Sequence, residues 1–333
     1  MKQLLFIILL SVVSVGIGYV VRSQKNEYEV EIQTADVSRS DLPAEPQNVK
    51  ISSTLRSDLP KEVGPPDMTL SSKTLEQGDT LIVSINHEEN AALALKIQDK
   101  NIPLISLTPK KSIAIYGIDV RKEPGTLAIF LLRKDAVIQE ENVKITKRNF
   151  PITQLVLSDT QKTAGVTPEK AATEIVQNDN TKLYEVLDKP LPKIYIKDEF
   201  VYPLPELINV GGFGNIRKSG ETEIRHLGVD LDAKRGDAVK AIQSGVVRLT
   251  RALSNYGNTI VVDHGASIFS MYLHLNSMDV KEGDNISKGQ VIGAVGNTGD
   301  YSLDPHLHLS IKATDASVDP LRFIEATQKM SGR

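Results

Sequence analysis

Five of the six histidines in this chain fall between His226 and His308, and four of them lie in short segments where polar and apolar residues alternate. Alternation with period two is the signature of a β-strand that buries one face, so the pattern restricts this region to a sheet. His226, Gly228, Asp230 and Asp232 share one parity, while Leu227, Val229 and Leu231 share the other. Ser270, Tyr272 and His274 oppose Phe269, Met271 and Leu273, and His306, His308 and Ser310 oppose Leu307, Leu309 and Ile311. Each segment is expected to set its imidazoles on one open face. A rigid apolar back with imidazoles and a carboxylate projecting into a cleft is how a catalytic metal site is built on a sheet. Two imidazole nitrogens, one carboxylate oxygen and a position left for water suit zinc, and the same donor set forms the facial triad of non-haem iron. Residues two apart on a strand share a face, so spacing leaves open which of His306 and His308 would bind a metal. Four residues of straight strand would hold His226 and Asp230 roughly 13 Å apart, and Gly228 is predicted to bulge or bend the strand between them.

The order His226-x-x-x-Asp230, Tyr272-Leu-His274-Leu and Pro305-His306-Leu-His308 resembles the lysostaphin/LytM-type zinc metalloendopeptidases, which cut the peptides of peptidoglycan. The likeness extends to Gly212-Phe-Gly with Arg217, Gly236-Asp-Ala-Val, Tyr256-Gly-Asn, Gly283-Asp-Asn-Ile-Ser-Lys-Gly-Gln-Val-Ile-Gly and Asp319-Pro320. The resemblance implies one Zn²⁺ held by His226, Asp230 and His308, with His306 as general base and His274 as oxyanion stabiliser, two roles that can be exchanged. It also implies peptidoglycan as partner, with Asn215 and Tyr256 as candidate substrate contacts in the groove. Related domains that lack the zinc ligands activate other cell-wall hydrolases, which makes a silent regulator the alternative; this chain keeps every ligand. Ser302-Leu-Asp-Pro305 departs from the family pattern in a loop one residue longer than expected, bordering the cleft. His264, in Val261-Val-Asp-His, is read as structural and His87 as a solvated turn residue.

With 333 residues the chain has room for two domains and tails. Its net charge of −3 shows none of the basic excess that nucleic-acid binding needs. It has no cysteine, which excludes disulfides and thiolate ligands, so any zinc must sit on histidine and carboxylate.

The apolar run Leu4–Val21 is flanked by Lys2, Arg22 and Lys25. As a helix it would span roughly 27 Å, enough for an anchor in a membrane, and small residues at Ser14, Gly16 and Gly18 also fit a signal peptide. Residues 1–22 are therefore expected to be an anchor or signal peptide that places the protein in the cell envelope, outside the cytoplasmic membrane. Residues 23–66, proline-spotted and carrying Arg-Ser-Asp-Leu-Pro twice, are expected to be a flexible tether. Short β-branched runs such as Leu81-Ile-Val-Ser-Ile and Leu127-Ala-Ile-Phe-Leu-Leu predict a small β-sandwich over residues 67–150, similar to the Ig-like domains that precede some peptidases of this family. Thr167-Pro-Glu reads as an N-cap, an N1 proline and an acidic first turn, which predicts a helical connector over 151–198. The peptidase domain then occupies 199–326 and a tail 327–333. The fold class expected is mainly β, with a C-terminal antiparallel-sheet metallopeptidase.

Overall fold

The computed structural model describes residues 17–24, 27–34, 66–155, 157, 159–174, 179–219, 221–299, 304–328 and 330. Two compact units are present, Met1–Lys61 and Glu62–Arg333. In the first, β1 (Ile17–Gln24) pairs antiparallel with β2 (Glu27–Thr34). The anchor helix expected over Leu4–Val21 is thus a strand over Ile17–Val21, and its preceding residues lie outside the described ones. The reason is local: Tyr19, Val20 and Val21 favour extended backbone, and they face the alternating run Glu27-Tyr-Glu-Val-Glu-Ile. The tether expected from residue 23 likewise contains β2, and residues 35–65 lie outside the described ones. No helix among the described residues is long and apolar enough to cross a membrane.

The second unit begins with two facing sheets. One joins β3 (Asp67–Leu70), β5 (Thr80–Asn86), β9 (Lys111–Gly117) and β8 (Ile105–Thr108) in that order. The other joins β4 (Thr74–Glu76), β11 (Ala136–Thr146), β10 (Gly125–Arg133), β6 (Leu93–Ile97) and β7 (Lys100–Ile102). Leu81, Val83 and Ile85 of β5 pack against Leu127, Ile129 and Leu131 of β10, so the two sheets form a sandwich. Ile82, Ile113 and Ile115 point the other way, into the core of the C-terminal domain. That double burial explains why Leu81-Ile-Val reads as an unbroken apolar run. Arg322 ties the C-terminal domain to Glu76 and Asp79 at 2.9 and 2.8 Å, and Arg148 bonds Asp319 at 2.9 Å.

The connector opens with β12 (Ile152–Gln154), followed by α1 (Asp159–Thr163), α2 (Pro168–Glu174) and α3 (Thr181–Leu187). Thr167 Oγ1 accepts the Lys170 N–H at 3.2 Å, the capping bond that Thr167-Pro-Glu predicts.

The C-terminal domain is built on an antiparallel sheet ordered β13 (Ile208–Gly211), β16 (Val229–Asp232), β24 (His306–Ala313), β20 (Ile268–Leu275), β19 (Gly257–Asp263), β18 (Gly245–Leu253) and β22 (Asn285–Ile286). β25 (Ala316–Val318) also pairs with β24. β14 (Ile216–Ser219) and β15 (Thr222–Arg225) form a hairpin alongside β12. β17 (Ala238–Lys240), β23 (Val291–Ala294) and β21 (Ser277–Met278) make a second small sheet, and α4 (Pro320–Gln328) closes the domain.

Register decides which side chains share a face. Leu273 lies opposite His308, Met271 opposite Ser310 and Phe269 opposite Lys312. Directly opposed residues point the same way. The groove face of β20 is therefore Phe269, Met271 and Leu273, contrary to the expectation that Ser270 and Tyr272 face the cleft with His274. Ser270 and Tyr272 are fully buried on the core face. The alternation misled because all eight residues of β20 are buried. Leu183 and Leu187 of α3 cover the groove face, packing on Leu249, Val261, Met271 and Leu273, and each leucine contributes about 2 kcal/mol of burial.

Candidate metal centre

Asp230 and His308 are directly opposed on β16 and β24, so the sheet itself brings carboxylate and imidazole together. Asp230 Oδ1 lies 2.8 Å from His308 Nδ1 and 3.1 Å from His226 Nε2, and the two nitrogens are 3.1 Å apart. His226 is not part of a straight strand. It sits in the irregular segment before β16, where its N–H donates to Asn215 O and its carbonyl accepts from Gly214 N. The 13 Å conflict therefore disappears without a strand bulge at Gly228. That glycine serves close approach instead: a Cβ there would stand 2.4 Å from His308 Nε2 and 2.5 Å from Leu309 O. Gly211 likewise leaves room for Asp230, whose Oδ2 would be 2.2 Å from an added Cβ.

The outer nitrogen of each imidazole is committed. His226 Nδ1 donates to Gly212 O at 2.9 Å, and His308 Nε2 shares a hydrogen bond with Ser310 Oγ at 2.8 Å. These bonds orient the two rings so that His226 Nε2 and His308 Nδ1 converge on the Asp230 carboxylate. Three donors on a tetrahedral ion with bonds near 2.0–2.1 Å stand about 3.3 Å apart. The donor atoms of His226, Asp230 and His308 cluster on that scale, so the residues fit a metal ion. Burial by itself would raise the Asp230 pKa. The hydrogen bonds of His226 and His308 outweigh it and hold the carboxylate well below its usual range. Burial also lowers His308 to about 4, against the opposing pull of Asp230, which keeps the imidazole neutral as a ligand must be.

His274 reaches the same cavity by a different route. Strand parity would send it to the core with Tyr272. Its backbone turns left-handed, with φ of +61°, and the side chain swings to the groove. Its N–H donates to Tyr256 O and its Nδ1 to Thr298 O at 2.8 Å. A left-handed non-glycine residue costs of order 1–3 kcal/mol and persists only where its surroundings fix it. His306 Nδ1 donates to Asp304 O at 2.7 Å, and its Nε2 stands 3.7 Å from Asp230 Oδ1. The rings of His274 and His306 are 5.0 Å apart. His274 and His306 thus each spend Nδ1 on a backbone carbonyl.

A cavity of about 390 Å³ joins these four histidines to Lys312 and to Asn180, Leu183 and Tyr184 of the connector. Tyr256 lines it, but its hydroxyl donates to Asn180 Oδ1 at 2.8 Å, while the buried carboxylate of Asp179 accepts the N–H groups of Ser254, Asn255 and Tyr256. Asn215 does not line the cavity and is half-buried beside Gly212. Ser302 and Leu303 of the departing loop lie outside the described residues. His264 is fully buried, with Nδ1 on Ser244 O and Nε2 on Ser270 Oγ. His87 corrects the expectation of a solvated turn residue: it is buried, donates to Glu88 O and bonds Ser112 Oγ. The sequence reading missed Ser310 as the residue that orients His308, although its place two positions along the same strand face was the available signal. It also missed the contribution of the connector to the cavity wall, which no local pattern carries.

Residues 224–320 match the family described as Peptidase family M23. Among curated proteins, the chain is 33% identical over 106 residues to the DD-carboxypeptidase/endopeptidase Mpg of Neisseria meningitidis serogroup B, covering 32% of this chain and 24% of that protein. It is 36% identical over 110 residues to the murein hydrolase activator NlpD of Escherichia coli K12, covering 33% of this chain and 28% of that protein. The chain thus spans under a third of the length of these relatives. A Pseudomonas aeruginosa protein solved as a candidate M23 peptidase shares the fold over 77% of this chain and 96% of its own, with a TM-score of 0.53 and 23% identity. The matched segment contains His226, Asp230, His274, His306 and His308, and residues 224–320 of this chain form a domain of peptidase family M23.

Proposed function

We propose that this chain is a zinc-dependent endopeptidase that hydrolyses peptide bonds in peptidoglycan cross-links or stem peptides, in the cell envelope outside the cytoplasmic membrane. The observation that carries the reading is the complete four-histidine arrangement: His226 Nε2 and His308 Nδ1 convergent on Asp230, and two more histidines beside them whose Nδ1 is held by a backbone carbonyl. Bound zinc would supply an acidified water and polarise the scissile carbonyl. His306 Nε2 takes the proton from the attacking water and passes it to the leaving amine, as a base whose Nδ1–H is fixed by Asp304 O. His274, its Nδ1–H held by Thr298 O, steadies the negative charge that develops on the carbonyl oxygen once its Nε2 is protonated, so the proton that leaves the attacking water must reach it or His306 before the oxyanion forms. Ser310 and Gly212 O keep the ligand rings oriented.

Digestion of purified peptidoglycan by the full chain, followed by mass spectrometry, tests this. New peptide termini that vanish with a chelator and in His306→Ala are expected. Identity to NlpD favours a second reading, activation of another cell-wall hydrolase. It would be supported if the chain released no termini alone yet stimulated a partner hydrolase equally with and without chelator.

A further inference from the structure

We propose that Lys312 is a carboxylate-recognition subsite of the groove, so that the preferred substrate is an acidic peptide with a free carboxylate about 13 Å, or four extended residues, from the bond that is cut. The inference rests on the endopeptidase reading and adds the substrate class. Lys312 follows the ligand His308 by four residues on β24, on the same face, with Ser310 between them. Both ends line one continuous cavity.

Lys312 is only 8% exposed. A lysine is seldom that buried unless it is paired, because its ammonium loses hydration. Yet its carboxylate contact is weak: Asp188 Oδ1 at 3.4 Å, on a side chain that is 64% exposed. The ring of Tyr184, 5.4 Å away, is its other described neighbour. Asp188 directly follows α3, the helix that lies on the apolar floor of the groove. The connector therefore presents a carboxylate to Lys312 from the groove side, in the position that a substrate carboxylate would take. Arg121 adds a second cation to this end of the cavity. Asp119 holds its guanidinium through bonds of 2.9 and 3.2 Å and is itself tied to Ser317 N at 3.2 Å. The nearby Asp315 pairs with Lys100. Arg121 and Asp315 are thus met by partners of their own, which leaves the Lys312 ammonium, held only at 3.4 Å by the exposed Asp188, as the cation that a substrate carboxylate would pair with.

The test uses the zinc-loaded full chain with two cross-linked stem peptides, identical except that the carboxylates of one are amidated. Wild type is expected to show a KM on the order of tenfold lower for the acidic peptide, at similar kcat. Lys312→Met should erase that preference while leaving cleavage of the amidated peptide unchanged, and Lys312→Arg should keep it. Equal KM values in wild type, or a preference that survives Lys312→Met, would overturn the inference and leave the endopeptidase reading standing. If wild type cuts neither peptide, that reading fails, and calorimetric binding of the same pair decides the subsite. Tighter binding of the acidic peptide, lost in Lys312→Met, supports it; equal binding overturns it.

Discussion

The central sheet carries a buried hydrogen-bonded cluster around His264 on its core face and a histidine–carboxylate cluster on its groove face, and the two are built to opposite ends. On the core face, His264 bonds Ser244 O and Ser270 Oγ, the Ser270 and Tyr272 hydroxyls bond each other, and the Tyr272 oxygen also accepts the Ile242 N–H. Every nitrogen and hydroxyl there has a protein partner. On the groove face, each ligand imidazole has one nitrogen bonded outward, and its other nitrogen converges with a second imidazole and a carboxylate held far below its usual pKa. Both clusters are centred on imidazole, the core one sealed from solvent and the groove one lining the cavity. What separates structure from function is whether the last lone pair is spent on the protein or kept for a ligand.

That contrast can be broken in several ways. The largest effect is expected from His308→Ala: loss of a metal ligand should remove bound zinc, read by elemental analysis, and cut peptidoglycan hydrolysis at least about 1,000-fold. His306→Ala should keep the zinc and lower kcat by about 10²–10⁴-fold, since it removes proton transfer alone. Loss of zinc from this variant would place His306 in the metal shell instead.

The core cluster should respond to pH whether or not a metal is bound. Burial lowers the pKa of His264 to about 4, from 6.5 in an unfolded chain. The unfolded state therefore binds more protons between those values, and stability should fall as pH drops from about 6.5 to about 4. The contribution is on the order of 3 kcal/mol, present above that window and lost below it. Urea unfolding at pH 7.5 and 4.5 checks this, with His264→Gln expected to flatten the difference. The smallest effect is expected from Ser310→Ala, about 10- to 100-fold in zinc affinity with the fold intact, because it frees His308 Nε2 without removing a ligand.

Much of the molecule could be read from local pattern. Leu81-Ile-Val of β5 and the Thr167 cap of α2 follow from period and capping chemistry, which act over a few residues. The helix expected over Leu4–Val21 is not seen in its described part: there the β preference of Tyr19-Val-Val and a pairing partner at Glu27–Ile32 competed with helix.

The sequence by itself determined the kind of donor available: a chain with no cysteine offers a metal only histidine and carboxylate, and spacing alone leaves His306 and His308 equal candidates. Only the tertiary structure decided that Ser270 and Tyr272 point inward, that His274 turns left-handed into the groove, and that α3 lies over the groove floor and brings Asp188 to Lys312. The physical reason is that alternation reports a strand's faces only when one of them meets water. β20 is covered on both, by the core and by a helix from a part of the chain some 80 residues away, so its side chains carry no local record of which face is which.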